Sequence, residues 1–315
     1  MKPVSTVIYF TITSGAGYGM IVVLSILSLI DKLDYIFNAK IIIISLSFFL
    51  IASGLLTSTI HLGHPDRALR TLGQWRKSWL SRKVLLALSA LGSTILFYYS
   101  WLALHHEILL KFFLIFSALL SILTVYCTAK IYSSLKTVPT WNNPFVPVLY
   151  ILYSVISGSL ILFLIFFYYK IYSILLNNFI LILLPTAFFI KILYWYTIKN
   201  LKISNIKTTK ELNSDKEINF FEDPSIRKNF LTNEIISNID NKSSFILRSS
   251  CIILTYITPF YCLIQTPTLV VNDDVAFITY LISNILAIVG IIIERWLFFI
   301  ESKHTVSLYY RNNAI

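Results

Sequence analysis

Charge is what this 315-residue chain has least of: Asp, Glu, Lys and Arg together make up 13% of it, roughly half the share a soluble domain carries. That deficit excludes a soluble globular fold. Cysteine is scarce too, and Cys127, Cys251 and Cys262 form no CxxC pair. An iron–sulfur cluster takes about four suitably spaced ligands, so the chain cannot hold one alone. The three thiols read as packing residues. The histidines are His61, His64, His105, His106 and His304, none at the middle of an apolar run, which disfavours a haem held between facing helices. No repeat, Walker motif, metal-ligand cluster or Ser/His/Asp arrangement is visible. What the chain has in quantity is apolar and aromatic surface: 57% hydrophobic residues, with 23 Phe, 19 Tyr and 6 Trp. That composition excludes disorder. With a mean hydropathy of +0.75 it specifies a polytopic membrane protein.

A span needs about 20 apolar residues to cross the hydrocarbon core. Eight such runs stand near residues 7–30, 40–60, 84–104, 108–129, 148–169, 179–198, 247–267 and 275–293. They are about twice the length of a barrel strand and do not alternate, so the expected fold is an all-α integral membrane bundle. The first run is too long for the apolar core of a signal peptide and is expected to stay in the mature protein. The whole of 1–315 reads as a single membrane domain, interrupted by a polar loop at 199–246.

The formal net charge of +11 would suggest nucleic acid in a soluble protein, but the distribution points to topology instead. Twenty Lys and Arg fall on the side of the N-terminus, the C-terminus and the even-numbered connections, against Lys32, Lys40, Lys111 and Lys170 on the other. The positive-inside rule therefore places both termini and the long connections in the cytoplasm. Between Lys199 and Lys242 the polar loop has eight basic and seven acidic residues. That balance offers no nucleic-acid surface, and leaves a partner-docking surface or a flexible tether.

The most informative segment follows the second span: His61-Leu-Gly-His64-Pro65-Asp66-Arg67, then Arg70, Trp75, Arg76, Lys77, Trp79-Leu-Ser-Arg82-Lys83. Gly63 and Pro65 should end the membrane helix. Apolar residues at 68, 69, 72, 75, 79 and 80 recur at helical spacing, with Arg67, Arg70, Gln74 and Lys77 off the stripe. This pattern predicts a short amphipathic helix in the membrane plane, its tryptophans at headgroup depth and its cations on anionic lipid. A second reading is chemical. A quinol carries its redox head at this depth and releases two protons on oxidation, and a histidine with a reference pKa of about 6.5 accepts protons there without perturbation.

The blocks His61-Leu-Gly-His64-Pro65-Asp66-Arg67-Ala and Trp79-Leu-Ser81-Arg82 resemble the signature of the DmsC family, the membrane anchors of dimethyl-sulfoxide-reductase-type complexes. Three further blocks also resemble that family: Ser14-Gly15-Ala16-Gly17-Tyr18-Gly19, Tyr132 with Thr137-Val138-Pro139-Thr140-Trp141, and Glu294-Arg295-Trp296 with Leu308-Tyr309-Tyr310. The resemblance implies an eight-helix subunit with no haem, iron–sulfur cluster, metal or substrate chemistry of its own. Such a subunit binds menaquinol or ubiquinol from the quinone pool and passes electrons to an iron–sulfur subunit, which serves a molybdopterin catalytic subunit. It implies His61 as the proton acceptor, with His64, Arg67, Trp79 and Lys83 around the quinol; Pro139 and Trp141 belong either to a partner-docking loop or to a structural turn. One position departs from the pattern: many relatives have a glutamate where this chain has Lys83. A protonated lysine cannot accept a quinol proton; it can donate to a quinone oxygen, or act as a base where burial removes its charge.

Other residues have simpler readings. Gly15 and Gly19 suit close helix packing. Thr137–Trp141 suits a turn with an interfacial tryptophan. Pro185 and Pro259 should kink their spans, and Lys191 should snorkel to the membrane surface. Glu294 and Arg295 should pair at the end of the last span. A transporter would need polar groups and broken helices at mid-span, which are few here. Two alternatives remain: an anchor of a sulfite-oxidising or related complex that runs electrons into quinone, and a purely structural anchor that leaves the quinone to another subunit.

Overall fold

The computed structural model describes residues 5–30, 39–60, 73–104, 107–199, 240–265 and 273–302. In lipid a backbone must satisfy its own hydrogen bonds, so long apolar runs become helices. They are α1 (Ser5–Ile30), α2 (Lys40–Ile60), α3 (Trp79–Tyr99), α4 (Glu107–Ser133), α5 (Phe145–Tyr168), α6 (Ile174–Lys199), α7 (Asn241–Ile252), α8 (Thr258–Ile264) and α9 (Asp273–Ile300). A π-helical turn, Ile253–Ile257, joins α7 to α8 into one span. Among the described residues, eight helical segments are long and apolar enough to cross a membrane, and there is no strand. Several helices exceed the expected runs: α3 begins at Trp79, not near 84, α6 at Ile174, not 179, and α7 at Asn241, not 247, while α4 continues to Ser133, not 129, and α9 to Ile300, not 293.

Local chemistry explains the irregularities. Pro259 has no N–H to give the carbonyl four residues back, and the π turn widens the helix immediately before it. At Pro185, by contrast, α6 continues from Ile174 to Lys199. The α5 C-terminus closes with Ile171 N–H on Phe166 O at 2.8 Å and Lys170 N–H on Phe167 O at 3.0 Å. This is a Schellman cap, and Lys170 holds its left-handed position at φ 57° where glycine is usual.

α1 packs against α2, α4 and α5 and is the most enclosed helix of the bundle, with α5 next. Glycine allows this approach. A Cβ on Gly158 would strike the backbone of Gly19 and Met20, and one on Gly19 would strike the backbone of Ser154. The small-residue motif in α1 is thus a packing surface. Serines and threonines survive in the apolar interior because their hydroxyls donate to carbonyls of their own helix: Ser47 to Ile43, Thr94 to Ala90, Ser121 to Ser117. A few hydroxyls also bond across helices. Ser154 donates to Gly15 O at 2.6 Å, Tyr153 bonds Tyr256 at 2.7 Å, and Ser47 bonds Tyr98.

One end of the bundle gathers the starts of α1, α3, α5 and α7 and the ends of α2, α4, α6 and α9. Contacts there tie the chain together. Asn143 donates to Thr197 at 2.8 Å, Trp141 Nε1 to Phe298 O at 2.9 Å, and Ser244 to Glu301 at 2.7 Å.

Candidate functional site

The sequence segment that carries the quinol expectation falls largely outside the described residues. His61, His64 and Arg67 lie outside them, as does most of the expected amphipathic helix. The described part of that helix is not α-helical: Gly73 and Gln74 form a 3₁₀ turn, and Trp75–Lys77 a turn, before α3 starts. Lys77 and Ser78 both donate their N–H to Gln74 O, at 3.0 and 3.1 Å, and Ser78, extended at φ −111° and ψ 127°, is the N-cap of α3. Arg82 fastens this turn. Its Nε donates to Trp75 O at 2.9 Å and its Nη2 to Arg76 O at 2.6 Å, while its guanidinium lies 4.4 Å over the Trp79 ring. Trp79 in turn meets Tyr126 of α4 edge to face at 6.4 Å.

Lys83 stands in the first turns of α3, where interfacial lysines ordinarily reach water. Here it is only 3% exposed. Its ammonium donates to Ser58 Oγ of α2 at 2.9 Å and sits 3.8 Å over the Phe10 ring of α1. Three helices therefore converge on one cation. A hydroxyl and a π face are weak partners for a buried ammonium, which has three donors to satisfy. The arrangement suits a Lys83 that offers hydrogen bonds to an oxygen acceptor. Ser58 and Phe10 had no signal in the sequence, because both are ordinary residues of apolar helices.

The other end of the family signature folds differently from expectation. Lys191 does not snorkel. It is 1% exposed and its ammonium bonds Glu294 Oε1 at 2.5 Å. Glu294 is not at a helix end either, since α9 continues past it to Ile300. Its second oxygen meets Arg295 Nε at 2.9 Å. Aromatic faces surround the pair of cations. Lys191 lies 4.6 Å over Tyr194, and Arg295 lies 3.8 Å over Tyr150 and 5.0 Å over Tyr153. Two opposite charges in separate apolar spans, Lys191 and Glu294, were the sequence signal for this cluster.

Trp141 is buried in the same region. Its indole stacks on Phe298 at 5.6 Å and meets Phe299 and Tyr132 edge to face. Its surface is spent inside the protein, where it closes the α4–α5 connection over the end of α9, while Pro139 beside it is half-buried. Among the described residues no group of three or more His, Cys, Asp or Glu is placed to hold a metal.

Comparison with known proteins adds to this geometry. A sulfite dehydrogenase subunit of Allochromatium vinosum is 23% identical in an alignment of 340 residues that covers 100% of both chains. The family model described as the DMSO reductase anchor subunit, DmsC, matches residues 1–300. Length, span count, the ordered motif blocks and that match agree, and the chain belongs to the DmsC family of membrane anchor subunits.

Proposed function

We propose that this protein anchors a molybdopterin oxidoreductase complex in the bacterial inner membrane and exchanges electrons between the quinone pool and an iron–sulfur partner. The observation that carries the reading is Lys83, a buried ammonium held by Ser58 and Phe10 where α1, α2 and α3 meet. In sequence it follows the segment with His61, His64 and Arg67. In the reductase direction a menaquinol or ubiquinol gives up two electrons and two protons and leaves as quinone. The electrons pass to the partner's nearest cluster and from there to the molybdopterin subunit. His61 accepts a proton, and Lys83 donates a hydrogen bond to the ring oxygen. Arg67 and Trp79 frame the site at headgroup depth, and His64 is its neighbour. Both termini lie in the cytoplasm by the charge asymmetry. The partner docks on loops at that end, with Pro139 at the surface and Trp141 fixing the loop from within.

The similarity to a sulfite dehydrogenase subunit favours a second reading, in which the same site takes electrons from the partner and reduces quinone. The chemistry at Lys83 suits either direction, because the ring oxygen is a hydrogen-bond acceptor in both.

Affinity purification in mild detergent, with mass spectrometry and molybdenum and iron assays, tests the anchor role. Co-purification of a molybdenum protein and an iron–sulfur protein is the expected outcome; recovery of this chain alone would overturn it. In the purified complex, His61→Ala should abolish quinol oxidation, and Lys83→Met should raise KM for quinol and lower kcat. Loss of activity in Lys83→Ala with His61→Ala unaffected would refute the assignment of the proton acceptor.

A further inference from the structure

A cavity lies between α1, α4, α5 and α9, apart from the Lys83 site. Arg295, Tyr18, Tyr150 and Tyr153 contribute to its wall, together with Thr11, Ser14, Thr128, Ser154 and Ser157. Its volume is about 30 Å³, which is room for one or two waters and far too little for a quinone ring.

The hydrogen-bond inventory of the wall decides what fits. The hydroxyl hydrogens of Thr11, Ser14, Thr128, Ser154 and Ser157 are committed to backbone carbonyls, at distances between 2.5 and 3.1 Å. Tyr153 and Tyr256 bond each other. What these serine and threonine oxygens still offer is lone pairs. Tyr18 supplies the opposite need: it is 2% exposed, lines the cavity, and its hydroxyl has no partner among the described residues. Arg295 adds a guanidinium, whose Nε lies 2.9 Å from Glu294 Oε2 and whose N–H groups can only donate. An anion would face five oxygen lone pairs and a cation would face Arg295. A neutral molecule that both donates and accepts satisfies both halves of the wall.

We propose that this cavity is an internal water site, which accepts from Tyr18 and Arg295 and donates to the spent hydroxyls around them. The site has an electrostatic role. Lys191 and Arg295 stand against the single carboxylate of Glu294, leaving one net positive charge in this cluster. Water inside the bundle solvates that charge where no second acid is available among the described members of the cluster. It also brings exchangeable protons to α1, which turns Phe10 toward Lys83 and Thr11 and Ser14 toward the cavity.

Radiolytic footprinting of the purified complex in H₂¹⁸O tests the proposal, since radicals formed from a bound water modify the side chain it touches. The reference is Tyr194, buried at the same end of the bundle with its hydroxyl on Thr140 O. Tyr18 should take up ¹⁸O at least about tenfold faster than Tyr194, and Thr128→Val, which keeps side-chain volume but removes one acceptor, should slow Tyr18 several-fold. Equal rates for Tyr18 and Tyr194 would overturn the water site. So would a thermal stability that rises with bromide over gluconate in the wild type and not in Tyr18→Phe, which would make the occupant an anion.

Discussion

Glu294→Gln is the substitution to which the fold should be most sensitive. The carboxylate is the shared counter-ion of Lys191 at 2.5 Å and Arg295 at 2.9 Å, and each side chain of the three is 2–3% exposed. Its removal leaves two cations facing each other inside the bundle. Breaking a buried pair in this way costs about 3–5 kcal/mol, because the partner charge is left without compensation. At roughly 2 °C per kcal/mol for a chain of this size, Tm should fall by about 6–10 °C. Lys191→Met works in the other direction: it leaves the neutral pair Glu294–Arg295, so it should cost no more than about 1–2 kcal/mol. Placing Lys191→Met on top of Glu294→Gln should recover part of the loss. Glu301→Gln supplies the contrast, since Arg248 in that ion pair is 35% exposed and such pairs contribute at most about 1 kcal/mol. The assay is thermal unfolding of the purified protein in detergent, followed by the reactivity of buried Cys127 and Cys251. Equal losses for Glu294→Gln and Lys191→Met, or a neutral Glu294→Gln, would refute the argument that one carboxylate balances two cations.

Gly158→Ala should separate α1 from α5, since its new methyl meets the Gly19 and Met20 backbone; a loss of about 1–3 kcal/mol is expected in the same unfolding assay. Lys170→Gly should be neutral to stabilising by up to about 1 kcal/mol, because glycine occupies φ 57° without strain. Trp141→Phe keeps the ring stack on Phe298 but loses the indole N–H bond to its carbonyl. It should cost about 1 kcal/mol, read as Tm, and leave partner recovery unchanged because the indole is buried.

The class of the protein and its course through the membrane follow from the order of its residues alone. Apolar runs of about 20 residues have one solution in lipid, so eight spans were legible from composition and length. The packing role of the glycines in α1 was legible for a similar reason, since small residues four apart leave a groove on one face. Charge inside the spans was not legible. Lys191 near the end of a span has two outcomes, surface or partner, and the choice depends on whether Glu294 of a helix 103 residues away faces it. Lys83 is the same case: nothing local distinguishes a lysine at the interface from one enclosed by Ser58 and Phe10. The expected helix leading to Trp79 failed in its described portion because hydrogen bonds from Lys77 and Ser78 to Gln74 and the Arg82 clamp favour a turn there. Periodicity and hydropathy are properties of one segment, whereas burial of a charge is a property of neighbouring helices. Where each cation finds its partners is settled by packing between helices, which brings α6 against α9 at Lys191 and α1 and α2 against α3 at Lys83.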